Sequence, residues 1–207
     1  MHKTLQPALF RPEMVAALRE RLKRATRRVV LPQPPPAAVL EDYSPSFGAV
    51  SFRRGRNIHT ASLRWRRGDV LWIRETWRRS PEGFHYLSDE IGLMRMGDFY
   101  LAVRTPLPKE QWCPSIMMPY AAARYWLPVR GLHIHRLREI ETDPTRAIQE
   151  EGGPFVGLLA CKGTYAVRPT LSEFKAGWDN INKQARWDTN PWVVRYDIPE
   201  VLPRDPT

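Results

Sequence analysis

Between residues 23 and 28 the chain reads Lys23-Arg24-Ala25-Thr26-Arg27-Arg28, four cations around one hydroxyl. Cations this crowded attract a phosphate or another nucleotide-like anion, and each guanidinium offers a planar fork of donors that fits phosphate oxygens. A threonine hydroxyl is a weak nucleophile until a base stands within hydrogen-bond reach. A neutral Lys23, three residues before Thr26, is a candidate for that base, and Lys23 or Arg28 can steady an oxyanion. Two readings stay open. In one, Thr26 attacks an amide while Lys23 handles the proton. In the other, Lys23 and Arg28 hold phosphate and Thr26 only hydrogen-bonds backbone.

A second basic belt interleaves cations with aromatic rings: Arg64-Trp65-Arg66-Arg67, then Arg74-Glu75-Thr76-Trp77-Arg78-Arg79. Arginines contact phosphates, and an aromatic face stacks on an unpaired base for roughly 1–3 kcal/mol. Arg66, Arg67, Arg74, Glu75 and Trp77 therefore join Arg24, Arg27 and Arg28 as candidate ligand contacts. Arg74 and Glu75 are equally suited to a structural ion pair, and Trp72, between Leu71 and Ile73, is expected in the core. Arg124, just before an apolar stretch, is either structural or ligand-facing. His133 and His135 share a strand face but lack companion ligands at metal spacing, so no metal is expected. Neither a P-loop nor G-x-G-x-x-G occurs, so no cofactor is expected.

These residues need elements to place them. Pro12 and Glu13 suit a helix start, and Met14, Val15, Leu18 and Leu22 recur at helical spacing. Lys23 and Thr26 are expected on one helix face or across its last turn. The β-branched Val29-Val30 predicts a change to strand, closed by the prolines from Pro32 to Pro36. Residues 37–62 read as a long excursion with low periodicity, mobile or ligand-dependent, in which Ser51 to Arg56 passes from strand into turn. Gly68-Asp69 marks a turn before a buried strand from Val70 to Trp77. A short hairpin is expected within 80–113, from Phe84–Leu87 and Phe99–Val103. Further strands are expected near Trp126–Val129, with Pro128 at an edge or bulge, and at Leu132–Leu137 and Trp192–Ile198. Asp143-Pro144 opens a helix that ends at Gly152-Gly153. Another starts after Pro169, with Ser172 as a possible cap and Phe174, Trp178 and Ile181 as its apolar face. Strands from distant parts of the chain with a few helices predict an α+β domain built on a small barrel.

The totals bound the class. A chain of 207 residues suits one domain with insertions. Lys and Arg number 32 against 22 Asp and Glu, a formal charge of +10. That balance favours polyanions, nucleic acid above all, over a basic surface without a specific partner. Cys113 and Cys161 form no C-x-x-C pair, which suits a reducing interior. No apolar run suggests a signal peptide or a membrane span, so a cytoplasmic protein with no membrane partner is expected.

Several segments together resemble a group of phage- and prophage-encoded proteins. They are Met14-Val15 through Lys23-x-x-Thr26-Arg27-Arg28-Val29; Gly68-Asp69-x-Leu71-Trp72-Ile73-Arg74-Glu75-Thr76-Trp77; Pro114-Ser115-Ile116-x-Met118-Pro119; Ala122-x-Arg124; Trp178-x-x-Ile181-Asn182; and Trp187-x-x-Asn190-Pro191-Trp192-Val193. The group is similar to a large, insertion-bearing branch of the ASCH domains in the PUA-like superfamily. The resemblance implies one domain over 9–198, a small β-barrel with flanking helices and insertions at about 32–65 and 80–113, and a tail at 199–207. It implies a cleft for RNA, for unpaired or modified DNA, or for a modified nucleoside. In the ASCH signature G-x-K-x-x-E-x-R, Lys23 and Arg28 match, while Arg21 replaces glycine and Thr26 replaces glutamate. The Lys-x-x-Thr pair is instead similar to that of small ASCH-type amidohydrolases that deacetylate acetylcytidine. That likeness implies a third catalytic group, Glu151 or alternatively Glu150, beside Lys23 and Thr26. Met117, Tyr120, Ala121 and Ala123 depart from the phage pattern. The expected functions are nucleic-acid or modified-nucleotide binding, amide hydrolysis at that triad, or docking of a phage accessory protein on a host protein.

Overall fold

Pro12 opens the first helix as predicted, and the turn that ends this helix points the chain toward the candidate site. The computed structural model describes residues 4–44, 47–96, 99–104, 112–152 and 170–203; Gly153, Cys161 and Pro169 lie outside them. Helix α1 (Pro12–Arg19) carries Glu13 in its first turn and buries Val15, Ala16, Ala17 and Leu18. Eight residues are too few to hold a helix alone, and burial of that face supplies the rest. The helix stops because Arg21 takes a left-handed conformation, φ 57°. Leu22 is therefore not a fourth member of the helical stripe; its amide bonds back to the Ala17 carbonyl at 2.8 Å.

The fold is α+β, with strands predominating. Strand β1 (Leu5–Leu9), which the sequence did not announce, runs parallel to β6 (Val70–Arg74), and β11 (Trp126–Pro128) pairs with the other side of β6. Pro128 thus sits on an edge strand, where its missing donor is harmless. A second sheet has β13 (Trp192–Asp197) between β12 (Gly131–Arg136) and β2 (Ala25–Val29), all antiparallel. Residues 37–62 are not an irregular excursion. They form a three-stranded meander of β3 (Val39–Ser44), β4 (Ala49–Arg54) and β5 (Asn57–Ser62). The region after 76 holds two hairpins rather than one: β7 (Trp77–Ser80) with β8 (Gly83–Tyr86), and β9 (Ile91–Met96) with β10 (Phe99–Arg104). Among the described residues the strands make five separate sheets with no closed barrel. No helix among them is long and apolar enough to cross a membrane.

The main core gathers from every layer: Val15 and Leu18 of α1, Val50 and Phe52 of β4, Leu71 and Ile73 of β6, and Val194 and Tyr196 of β13, around Trp65. Trp65, at 1% exposure, is the central tryptophan. Trp72 is only half-buried, because strand alternation turns it away from Leu71 and Ile73. It meets Tyr120 edge-on at 5.2 Å. β13 is buried on both faces. Val194 and Tyr196 enter the main core, whereas Val193 enters a second cluster with Phe174, Trp178 and Trp187. That second cluster seats α2 (Pro144–Glu150) and α3 (Leu171–Ile181). Asp143 caps α2, accepting from the Arg146 amide at 3.1 Å. Thr170, not Ser172, caps α3, in a reciprocal box with Glu173.

Candidate functional site: a cavity beside β2

Among the described residues β2 is hydrogen-bonded only to β13, and the chain just before it, Lys23 and Arg24, meets another segment. That segment is the end of α2. Lys23 and Glu151 form an isolated antiparallel bridge, and the Arg24 amide donates to the Glu150 carbonyl at 2.7 Å. Gly152 makes the close approach possible. Its φ is 99°, and a Cβ there would lie 2.8 Å from the Lys23 Cβ.

A cavity of about 50 Å³ lies beside β2. Lys23, Thr26, Arg27, Arg28 and Glu151 supply its polar lining. Met14 of α1 and Phe174, Trp178, Ile181 and Asn182 of α3 and its cap supply the rest. The structure thus brings together Lys23, Thr26 and Glu151, though 128 residues separate the first from the last. Lys23 and Thr26 do not share a helix face. Lys23 sits in the bridge after the left-handed turn, and Thr26 is in β2 opposite Tyr196.

The charges are tightly arranged. Lys23 Nζ donates to Glu151 Oε2 at 2.7 Å and to the Glu151 carbonyl at 2.9 Å. Arg27 donates to Glu151 Oε1 at 2.9 Å. Burial by itself would raise the Glu151 carboxyl, but Lys23 and Arg27 together outweigh it and hold the group below the usual carboxylate range. Glu151 is therefore ionised, with each oxygen engaged. Burial pulls the Lys23 ammonium below the usual lysine range, Glu151 opposes the shift, and Arg28 and Arg27 add to it. Thr26 is buried and lines the cavity, and its hydroxyl has no hydrogen-bond partner among the described residues.

Arg28 is placed differently from Lys23 and Arg27. It has no carboxylate within ion-pair distance among the described residues. It donates to the Leu9 carbonyl at 3.1 Å and lies over the rings of Phe10 at 5.5 Å and Trp65 at 5.4 Å, with Nε buried and unpartnered. Arg27 is already engaged by Glu151. Glu150 is a support group, held by Arg146 at 3.0 Å and Arg195 at 3.1 Å, and only 3.9 Å from Arg27. Arg24 is exposed and opens onto a different cleft.

The other sequence candidates do not line this cavity. Arg74 donates to the carbonyls of Ile116 and Met118 and lies 5.3 Å over Trp72. Glu75 does not pair with Arg74. It is fully buried and accepts from Arg124 at 2.9 and 3.0 Å and from the Ser88 hydroxyl. Arg124 also holds Asp89 at 2.8 Å, and these bonds, against the opposing effect of burial, raise its guanidinium further. Glu75 and Arg124 thus form one internal network. Trp77 is half-buried against Phe84, and Arg66 and Arg67 are exposed beside the meander. His133 pairs with Asp197 at 3.2 Å, and His135 bonds the Arg136 carbonyl at 2.9 Å. Among the described residues no three His, Cys, Asp or Glu side chains group to hold a metal.

Phe174, Trp178 and Ile181 form the predicted apolar face of α3, and that face also walls the cavity, which helical spacing alone does not reveal. The available signal was Ile181, which continues the apolar stripe one turn past the core and ends 42% exposed. Asn182 caps α3 through the Trp178 carbonyl at 3.2 Å while lining the same cavity. The chain matches no protein-family model, no curated protein and no solved structure.

Proposed function

We propose that this protein is a nucleic-acid or modified-nucleotide binding protein of the phage-encoded ASCH type, taking an unpaired or modified base of RNA or DNA at the cavity beside β2. The barrel this reading supposes would draw its wall from the β1-β6-β11 and β12-β13-β2 sheets, which contribute to one core. The observation that carries the reading is the convergence of Lys23, Thr26, Arg28 and Glu151 with the rings of Phe174 and Trp178 in one cavity. Aromatic walls suit a base or its apolar substituent, and Arg28 suits an adjoining anion. The test is binding of labelled single-stranded oligonucleotides at low and rising salt, with Arg28→Ala as the variant. Salt-sensitive binding that weakens at least several-fold in Arg28→Ala supports the reading. No binding of any oligonucleotide at low salt overturns it.

A second reading, deacetylation of acetylcytidine or a similar modified nucleoside, is favoured by one specific observation: Thr26 lines the same cavity as Lys23, whose ammonium burial pulls below the usual lysine range. In that reaction neutral Lys23 takes the hydroxyl proton as Thr26 Oγ1 attacks the acetyl carbonyl. Collapse of the tetrahedral intermediate breaks the C–N bond, Lys23 returns the proton to the leaving amine, and water then cleaves the threonyl ester to acetate. Glu151 positions Lys23 and compensates its charge. Acetate released at the native rate by Thr26→Ala would rule this reading out; loss of release with ligand binding retained supports it.

A further inference from the structure

We infer that a second cleft, on the far side of Lys23, is the phosphodiester subsite of this binding site; the inference rests on the nucleotide-binding reading above. The cleft has a volume of about 340 Å³, much larger than the cavity at β2. Lys23 lines both, so the two spaces meet at one residue. Leu18, Ile198 and Val201 contribute apolar lining. The charged lining is Arg21 and Arg24 on one side and Asp197 and Glu200 on the other.

The two carboxylates are already neutralised. Asp197 lies within ion-pair distance of Arg195 at 3.0 Å and 3.2 Å from His133, and Glu200 accepts from Arg130 at 3.0 Å. Arg21 and Arg24 have no carboxylate within ion-pair distance among the described residues, and both are exposed. The uncompensated charge of the cleft is therefore positive. Arg24 is anchored by its backbone, donating to the Glu150 carbonyl at 2.7 Å and accepting from the Ile198 amide at 2.8 Å, while its side chain remains available.

Arg21 adds an independent observation. Its φ of 57° is a conformation that glycine adopts without strain and arginine does not. A side chain carried at that cost, with no internal partner and lining a cleft of this size, is suited to an external one. A single-stranded ligand with its base at β2 can lay the neighbouring phosphate across Arg21 and Arg24. Those contacts attract any strand without reading its sequence.

The test is the salt dependence of single-stranded oligonucleotide binding by fluorescence anisotropy, comparing the native protein with Arg21→Gly/Arg24→Ala. Each phosphate contact contributes about 0.7 to the slope of log affinity against log salt for single strands. The double variant is expected to lose about 1.4 of that slope, equally for oligonucleotides of different sequence. Both substitutions leave the backbone bonds in place, and Arg24→Gln alone, expected to lose about 0.7, is the second variant if the double one does not fold. An unchanged slope in a folded variant overturns the subsite but not the binding function. Absence of binding by the native protein overturns both. Inorganic phosphate at constant ionic strength, titrated by calorimetry, separates the sources. Heat of binding that disappears in the variant while the oligonucleotide slope stays unchanged assigns the cleft to free phosphate and overturns the proposal.

Discussion

At the scale of single residues, the centre of the site is a carboxylate between two cations. Glu151 keeps its charge because Lys23 and Arg27 outweigh the effect of burial. Its folded-state pKa lies below the unfolded one, so its contribution to stability is full above the unfolded value and lost as pH falls through the folded one. Native stability is thus expected to fall with acid below about pH 4.5, more steeply than in Glu151→Gln, as followed by the midpoint of urea unfolding. At neutral pH the same substitution leaves Lys23 and Arg27 buried without their counter-charge and is expected to cost about 3–5 kcal/mol. Thr26 and Lys23 were legible in the sequence as chemically suggestive residues, because their identities alone state what they can do. The spent state of Arg27, Glu75 and Arg124 was not legible. An arginine bound to a distant carboxylate and one open to ligand look the same in sequence, and only the fold distinguishes Arg27 on Glu151 from Arg28 on Phe10 and Trp65.

At the scale of elements, two backbone positions govern how α1 and α2 meet. Arg21 terminates α1 in a left-handed turn that favours glycine, so Arg21→Gly is expected to stabilise the fold by about 0.5–1 kcal/mol, raising the thermal midpoint by a few degrees. Gly152 is the opposite case: positive φ together with contact to the Lys23 Cβ and the Ala17 Cβ. Gly152→Ala is expected to destabilise by about 1–3 kcal/mol and to weaken ligand binding as well, since the displaced segment carries Glu151. Calorimetric melting and the oligonucleotide titration measure the two effects. The helices, their starts and the closing strand β13 could be read from capping residues and apolar spacing, because those signals are local. β1 could not, since Leu5-Gln6-Pro7-Ala8-Leu9 is a strand only through its pairing with β6, more than sixty residues later.

At the scale of the whole molecule, the meander β3-β4-β5 is part of the core and not an appendage. Phe52 is fully buried and meets Trp192 of β13 at 5.0 Å between ring centroids. Phe52→Ala is expected to cost about 3–5 kcal/mol, as for other buried aromatic truncations, and to lower the midpoint of a single cooperative transition in urea. A separate early transition for residues 39–62 would show instead that the meander folds on its own. Weak sequence periodicity suggested a loose segment because only the inner face, Val50, Phe52 and Ala61, is apolar, while exposed Val39, Leu40 and Ile58 blur the alternation.

The bridge between Lys23 and Glu151 has a consequence for how the protein comes into being. The two residues close a loop of more than a hundred residues, and such long-range contacts carry the largest entropic cost and tend to form late in folding. During synthesis Lys23 and Thr26 emerge long before α2 exists, so the nascent chain has the hydroxyl and the cations but no cavity to hold them. The site becomes competent only when the last third of the chain has been made and docked. A chain that stops short of Glu151 keeps the cations of residues 23–28 but lacks the carboxylate that neutralises Lys23 and Arg27.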